Sequence, residues 1–432
     1  MVRRRLSLNL LVYSLISSIS LMVYLQRNSV KIHNYTFNII NLVNNIKAYP
    51  DRGYIHKLEK LFSGFLVPCS SVQSYQHTQG EAINLGLVLI NTGLPSTSPD
   101  FRSDEFVYKS VRNLKGILAL TGDRPIHFII VTNPSSGSWA GQIISYCITR
   151  RLSLDIIQER WFRWRNKDRL PPLKFSLVDS EEILNLNPDF IQGLFDNREP
   201  STAEKNKYSS TLFYVAPLYH LAFKSLEKLL VIDSSDLEFL VDIAELYDEF
   251  NELEKDKKAI MSLGLDLAPH YYNQLGKYRR IHPNTEIGKP GRFQGFNTGV
   301  VLYRLDRMRE SEIYNKFLSS DRVSFLTKKF MYKISLAEQD FFTNLGFIHP
   351  ELFNILPCTF NKQESIQYLA PPFEEIFDLY HDCKEKKDVK VYHINGCGPT
   401  LELCKHQDMP GSRLQGDKTY HFFHANFEVF WE

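Results

Sequence analysis

Short apolar runs closed by turn or acidic residues recur along this chain, separated by stretches whose apolar residues have helical spacing. Leu85-Gly86-Leu87-Val88-Leu89-Ile90 ends at Asn91-Thr92-Gly93, and residues 126–131 end at Thr132-Asn133-Pro134. Residues 173–178 form a third run and residues 228–232 a fourth. Runs of this length, bounded in this way, read as buried strands. Helices are expected over residues 104–120 and 139–151. Another should follow the fourth strand, where Leu240, Ile243, Leu246, Tyr247 and Phe250 share one helical face. Strands alternating with helices specify an α/β fold with a mostly parallel, doubly wound sheet. Ligands of such sheets bind beyond the carboxyl ends of the strands. The stretch 179–207 is largely polar and reads as an insertion or a loop.

Composition bounds the function classes. Of 432 residues, 23% are charged and 43% hydrophobic, the profile of an ordinary globular chain. Basic and acidic residues number 51 and 49, a balance of +2 with no long basic block, which speaks against nucleic-acid binding. The 13% of aromatic residues suit a thick core and suit sugar stacking equally.

Arg3, Arg4 and Arg5 precede residues 6–25, a stretch without formal charge, and Arg27 follows it. About 20 residues at 1.5 Å rise span the ~30 Å hydrocarbon core of a bilayer. Residues 1–5 are therefore expected as a cytoplasmic tail and 6–25 as a transmembrane signal anchor, with the bulk of the chain lumenal. A cleaved signal peptide is the alternative. Residues 26–80 read as a lumenal stem, 81–405 as the catalytic domain and 406–432 as a C-terminal tail. The sequon Asn34-Tyr35-Thr36 lies in that stem. An oxidising compartment suits one or two disulfides among Cys358, Cys383, Cys397 and Cys404, and no cysteine pair has zinc-ligand spacing.

The fourth run continues into Asp233-Ser234-Ser235-Asp236, so two carboxylates stand where a ligand of the sheet would sit. Carboxylates there can hold a hard divalent cation that bridges to a diphosphate. A surface turn with a helix-capping Asp is the plainer reading. Gly295-Phe296-Asn297-Thr298-Gly299 enters a further strand, and its glycines allow close approach of backbone to a ligand, or simply make a turn. Ser335-Leu336-Ala337-Glu338 has the form of a capping box, with Ser335 as N-cap and Glu338 reaching back. Gln339 and Asp340 then face a helix N-terminus. Residues 389–393 look like a last strand ending at His393.

In this order, the acidic strand end, Gly295–Gly299, Gln339-Asp340-Phe341-Phe342 and the tail around Val391-Tyr392-His393 resemble the retaining family-8 glycosyltransferases. His349-Pro350-Glu351-Leu352-Phe353 and Cys358-Thr359-Phe360-Asn361 resemble the xyloside xylosyltransferase branch of that family. The resemblance implies a GT-A (Rossmann-like) fold, UDP-xylose as donor and Mn²⁺ as cofactor. It implies transfer of xylose, with retention, onto a xylosyl-glucose O-glycan of an EGF-like domain in the endoplasmic reticulum, the Golgi being the alternative. Carried over by position, Asp236 and His393 match metal-binding residues, while Asn297, Gln339 and Asp340 match the sugar pocket. The family's Asp-x-Asp is replaced here by Asp233-Ser234-Ser235-Asp236, so either a local bulge or turn brings Asp233 round to the metal or Ser234 takes that place. Ala337-Glu338 stands where the family has Gly-Asp. Two rivals follow: a related enzyme with another donor or acceptor, and a catalytically degenerate glycan-binding or scaffold protein.

Overall fold

The computed structural model describes residues 66–77, 80–89, 121–134, 171–199, 211–290, 293–363 and 388–395, with a few positions between these segments. The expected cytoplasmic tail, the anchor over 6–25, the stem up to residue 65, most of the helix over 139–151 and the tail 406–432 lie outside the described residues. Among the described residues, no helix is long and apolar enough to cross a membrane.

The main sheet is built from β1 (Leu66–Val67), β2 (Ile83–Val88), β3 (Ile126–Thr132), β4 (Leu173–Asp179) and β5 (Lys228–Ile232). A short β6 (Leu237–Phe239) leaves it for a second sheet, and β7 (Met261–Leu265), β8 (Phe296–Arg304) and β9 (Phe353–Ile355) return to it. Its order is β1-β4-β3-β2-β5-β8-β7-β9. Neighbours from β1 to β5 run parallel, whereas β8 is antiparallel to both β5 and β7. The expected parallel α/β sheet is thus correct for its first five strands, and the full sheet is mixed. Leu66 pairs with Leu177, so the sheet takes in residues that read as stem from sequence.

Both faces of this sheet are covered, which is why its strands are nearly continuous apolar runs. Along β3, Ile126, Phe128 and Ile130 enter one core while Ile129 and Val131 enter the other. The stretch 179–207 is not the expected loop: its described part forms a short helix and then α1 (Pro188–Asp196). Asn187 caps α1 by accepting from Phe190 N–H, and Phe190, Ile191 and Leu194 bury its inner face. It packs beside α2 (Ser320–Phe330), and α3 (Glu338–Ile348) closes the same core next to β8.

The entry to α3 carries backbone strain. Ala337 has φ 52° and ψ −125°, and Gln339 N–H donates to Leu336 O at 3.1 Å, which makes residues 336–339 a type II′ turn. Glycine is the residue that adopts this conformation freely. Strain of this kind costs about 1–3 kcal/mol, against roughly 0.8 kcal/mol for burying the Ala337 methyl. That leaves about 0.2–2 kcal/mol, and after about 0.5 kcal/mol for the unfolded-chain entropy glycine adds, Ala337→Gly is expected to raise stability by up to about 1.5 kcal/mol, read from the urea midpoint. Loss of stability in that variant would mean that the methyl outweighs the strain.

A second, three-stranded sheet brings the far end of the chain back. Here β10 (Lys362–Gln363), β11 (Val391–His393) and β6 lie in the order β10-β11-β6. Cys358, in a 3-10 turn just before β10, forms a disulfide with Cys383. This pairing meets the expectation of a stapled C-terminal region. Cys147, Cys397 and Cys404 lie outside the described residues.

Candidate active site

Residues 233–236 form a bend between β5 and β6. Asp233 N–H donates to Gly299 O at 2.8 Å, fixing the bend against β8. The Asp233 carboxylate then closes the bend on itself, its Oδ1 accepting from Ser235 N–H at 2.9 Å and Ser235 Oγ at 3.1 Å. That is an Asx turn, the usual way an aspartate stabilises a tight reversal. The extra residue relative to Asp-x-Asp is thus absorbed by a turn. Asp236 O accepts from Ile394 N–H at 2.8 Å, and His393 pairs with Leu237. The pairing of β6 with β11 therefore brings the backbones of Asp236 and His393 close together. Ser234, Asp236 and His393 are all buried.

Asn297 lies at the start of β8, where the register against β7 shifts between Asn297 and Val301. The shift turns Thr298 and Gly299 out of the β7 ladder. Gly299 N–H donates to Asn297 Oδ1 at 3.0 Å, and Asn361 Nδ2 donates to the same oxygen at 2.9 Å. The other end of the Asn361 amide meets His393 Nδ1 at 3.0 Å. The glycines expected to admit a ligand admit protein rings instead. A Cβ on Gly299 would stand 2.3 Å from His393 Cε1, and one on Gly295 would meet the Tyr271 ring at 2.1 Å. Gly295 also has φ 100°, so glycine is required there twice over.

Gln339 Oε1 accepts from Thr298 N–H at 3.2 Å, and its Nε2 donates to the Tyr271 hydroxyl at 3.2 Å. Tyr271 O–H in turn donates to Asp340 Oδ1 at 2.8 Å. Asp340 Oδ2 accepts from Ser335 N–H at 2.6 Å and Leu336 N–H at 2.8 Å. This corrects the expected capping box: Ala337 is the N-cap of α3, and Asp340 rather than Glu338 reaches back. The positive φ at Ala337 shifts the start of the helix by two residues. Asp340 is fully buried with both oxygens engaged.

Glu338 is released from capping and turns to Thr298, whose hydroxyl donates to Glu338 Oε1 at 3.3 Å. Burial pushes the Glu338 carboxyl up to about 8, and the charges of Asp340 and Asp233 act in the same direction. Burial likewise raises Asp266 to about 7. Between the ordinary glutamate value of 4.5 and about 8, the folded chain holds a proton on Glu338 that the unfolded chain has released. Stability is then greatest below 4.5 on this account and falls as pH rises, by at most about 1.4 kcal/mol per pH unit for one proton. In Glu338→Gln, the loss of stability between about pH 5 and 8 should be smaller than in wild type. Identical slopes in the two proteins would show that Glu338 carries no such proton.

Asp233, Asp236 and His393 are the expected metal ligands. Among the described residues, no group of three or more His, Cys, Asp and Glu side chains is placed to hold a metal ion. The reason lies in the bend, where Asp233 Oδ1 serves Ser235. One carboxylate and one imidazole on adjoining strands suit a cation shared with substrate phosphates, because such ions are held by one or two protein groups. Asp236 and His393 are the residues that would hold such a shared cation.

Comparison with known proteins returns no matching family model. Xyloside xylosyltransferase 1 of Homo sapiens is 32% identical over 198 residues, which is 45% of this chain and 49% of the relative. The xylosyl- and glucuronyltransferase LARGE2 of Homo sapiens is 34% identical over 170 residues, 39% of this chain and 20% of that protein. The chain thus matches about half the length of the first relative and less of the second. The crystal structure of mouse xyloside xylosyltransferase 1 in its apo form superposes with a TM-score of 0.59. It covers 73% of this chain and 98% of that one at 23% identity. The chain has a glycosyltransferase fold. Within that fold, Asp233, Ser234, Asp236, Asn297, Gln339, Asp340 and His393 gather around the ends of β5, β8 and β11. Sequence reasoning missed Tyr271, Thr298, Glu338 and Asn361 as parts of this cluster.

Proposed function

We propose that the chain is a glycosyltransferase that moves xylose from UDP-xylose to a glycan acceptor. The observation that carries this reading is the convergence of Asp236, His393, Asn297 and Gln339, from separate segments, in a chain with the fold of a xylosyltransferase. Similarity to a xyloside xylosyltransferase supports xylose as the sugar and a xyloside as the acceptor. In its most specific form the acceptor is a xylosyl-glucose O-glycan on an EGF-like domain, met by a membrane-anchored enzyme in the endoplasmic reticulum.

The charge that must be managed is on UDP, which departs as a diphosphate. A divalent cation, Mn²⁺ in this reading, would be held by Asp236 and His393 together with the diphosphate and would supply charge neutralisation. Asp236 and His393 orient that end of the donor. Asn297 and Gln339, neutral amides that can both donate and accept, orient the sugar hydroxyls. A covalent carboxylate intermediate finds no support in Asp340, whose two oxygens hold Tyr271 and the backbone of residues 335 and 336. Retention is assigned instead to attack on the same face. The acceptor oxygen bonds to C1 as the C1–phosphate oxygen bond breaks, and its proton passes to the leaving phosphate.

The test offers UDP-xylose, UDP-glucose and UDP-glucuronate to the full chain with a xylosyl-glucosyl EGF-like acceptor, and reads product anomer by NMR. An α-linked xyloside is expected, and turnover should cease with chelator. Transfer from another donor would move the specificity, and a β-linked product would remove same-face attack. A second reading, a glycan-binding protein without turnover, is favoured by the use of Asp233 inside its own bend. It becomes the leading one if the folded chain binds acceptor and transfers nothing.

A further inference from the structure

We infer that Asn361 is a positioning residue that holds His393 as its Nδ1–H tautomer, so that the imidazole meets the substrate through Nε2. The inference deepens the proposed function and rests on it only for what Nε2 contacts. Its starting point is a group whose hydrogen-bonding role is not open to assignment. The backbone N–H of Gly299 can only donate, so the Asn297 atom 3.0 Å away is the carbonyl oxygen. The Asn361 atom 2.9 Å from that same oxygen must also donate, and is therefore the amide nitrogen. Asn361 then turns its carbonyl oxygen to His393 Nδ1 at 3.0 Å. A carbonyl only accepts, so the proton of neutral His393 sits on Nδ1 and Nε2 keeps a lone pair.

The surrounding backbone grips both side chains. A Cβ on Gly264, which pairs with Asn297 across the ladder, would stand 2.9 Å from Asn361 Nδ2. A Cβ on Gly299 would stand 2.5 Å from His393 Nδ1. Asn361 itself is buried, at 1% exposure, and its N–H donates to Cys358 O at 3.0 Å, beside the disulfide to Cys383. Exchanging the ends of this amide would set its oxygen against Asn297 Oδ1, two acceptors facing each other in a buried site, which is costly. Partners that act through a ligand's second ring nitrogen typically change affinity or activity 10- to 100-fold when removed.

The experiment is a two-bond ¹H–¹⁵N correlation on the full chain labelled with ¹⁵N-histidine, without donor, at about pH 8 where imidazole is neutral. His393 is assigned by its absence in His393→Gln. Wild type is expected to show the Nδ1–H pattern, and Asn361→Asp, which keeps an acceptor, should retain it. Asn361→Leu should shift His393 toward Nε2–H and raise the KM for UDP-xylose about 10- to 100-fold. An Nε2–H pattern in wild type overturns the inference, and that measurement stands even if the leucine variant fails to fold. Turnover of UDP-sugar with such a pattern would remove this inference alone. Absence of turnover with an Nδ1–H pattern would remove the proposed function and leave the tautomer intact.

Discussion

Replacing Asp340 with alanine is expected to destabilise the protein by about 3–5 kcal/mol, because three donors lose their shared acceptor at about 1–3 kcal/mol each when buried and less when part-buried. The substitution leaves the buried Tyr271 O–H and the part-buried N–H groups of Ser335 and Leu336 without their acceptor. Each such group costs about 1–3 kcal/mol when unsatisfied and buried. The turn at Ala337 would lose the carboxylate that holds it, and Gln339 would lose the phenol that positions its amide. Asp340→Asn keeps the size but turns a donor toward one of these donors, so an intermediate loss is expected. Denaturant midpoints for the three proteins check this. A loss below 1 kcal/mol in Asp340→Ala would mean that Asp340 acts on substrate and not on the fold.

Gly299→Ala should act mainly on turnover. The new methyl would overlap the His393 ring, whose Cε1 and Nδ1 lie 2.3 and 2.5 Å from its position. Asn297 Oδ1, at 3.0 Å, blocks movement on the other side. His393 must move by about 1 Å, and misplacement of that size costs about 100-fold in rate. Overpacking adds roughly 1–3 kcal/mol of instability. The comparison to make is kcat for UDP-xylose transfer against the melting temperature of each protein. Retained turnover would show that the His393 position is immaterial to the reaction.

The strands of the main sheet were legible because short, mostly apolar runs closed by turn or acidic residues have few other uses in a chain of this composition. Their ends were less so: β2 covers residues 83–88, two earlier than the run suggests, because Ile83 pairs with Ile126. In α1, Asp189, Gln192 and Asp196 diluted the apolar stripe of Phe190, Ile191 and Leu194, so a helix read as a loop. The capping box at Ser335 was a fair match to a pattern that a positive φ at Ala337 then displaced. Asp236, Asn297, Gln339 and His393 could be picked out by motif. Tyr271 belongs to no such motif, and Asn361 lies in one but received no role, since each acts by contact with residues 32 to 69 positions away. The coupling of Asn297, Asn361 and His393 exists only once β7, β8 and β11 are assembled.

The measurement closest to the central claim is calorimetric titration of UDP-xylose, with Mn²⁺, into the full chain and into Gly299→Ala. Saturable binding to one site in wild type, abolished or weakened at least tenfold in the variant, is the expected result. Equal binding by both proteins would move the donor away from the cluster at the ends of β5, β8 and β11. No binding by the folded wild type would contradict the account as a whole.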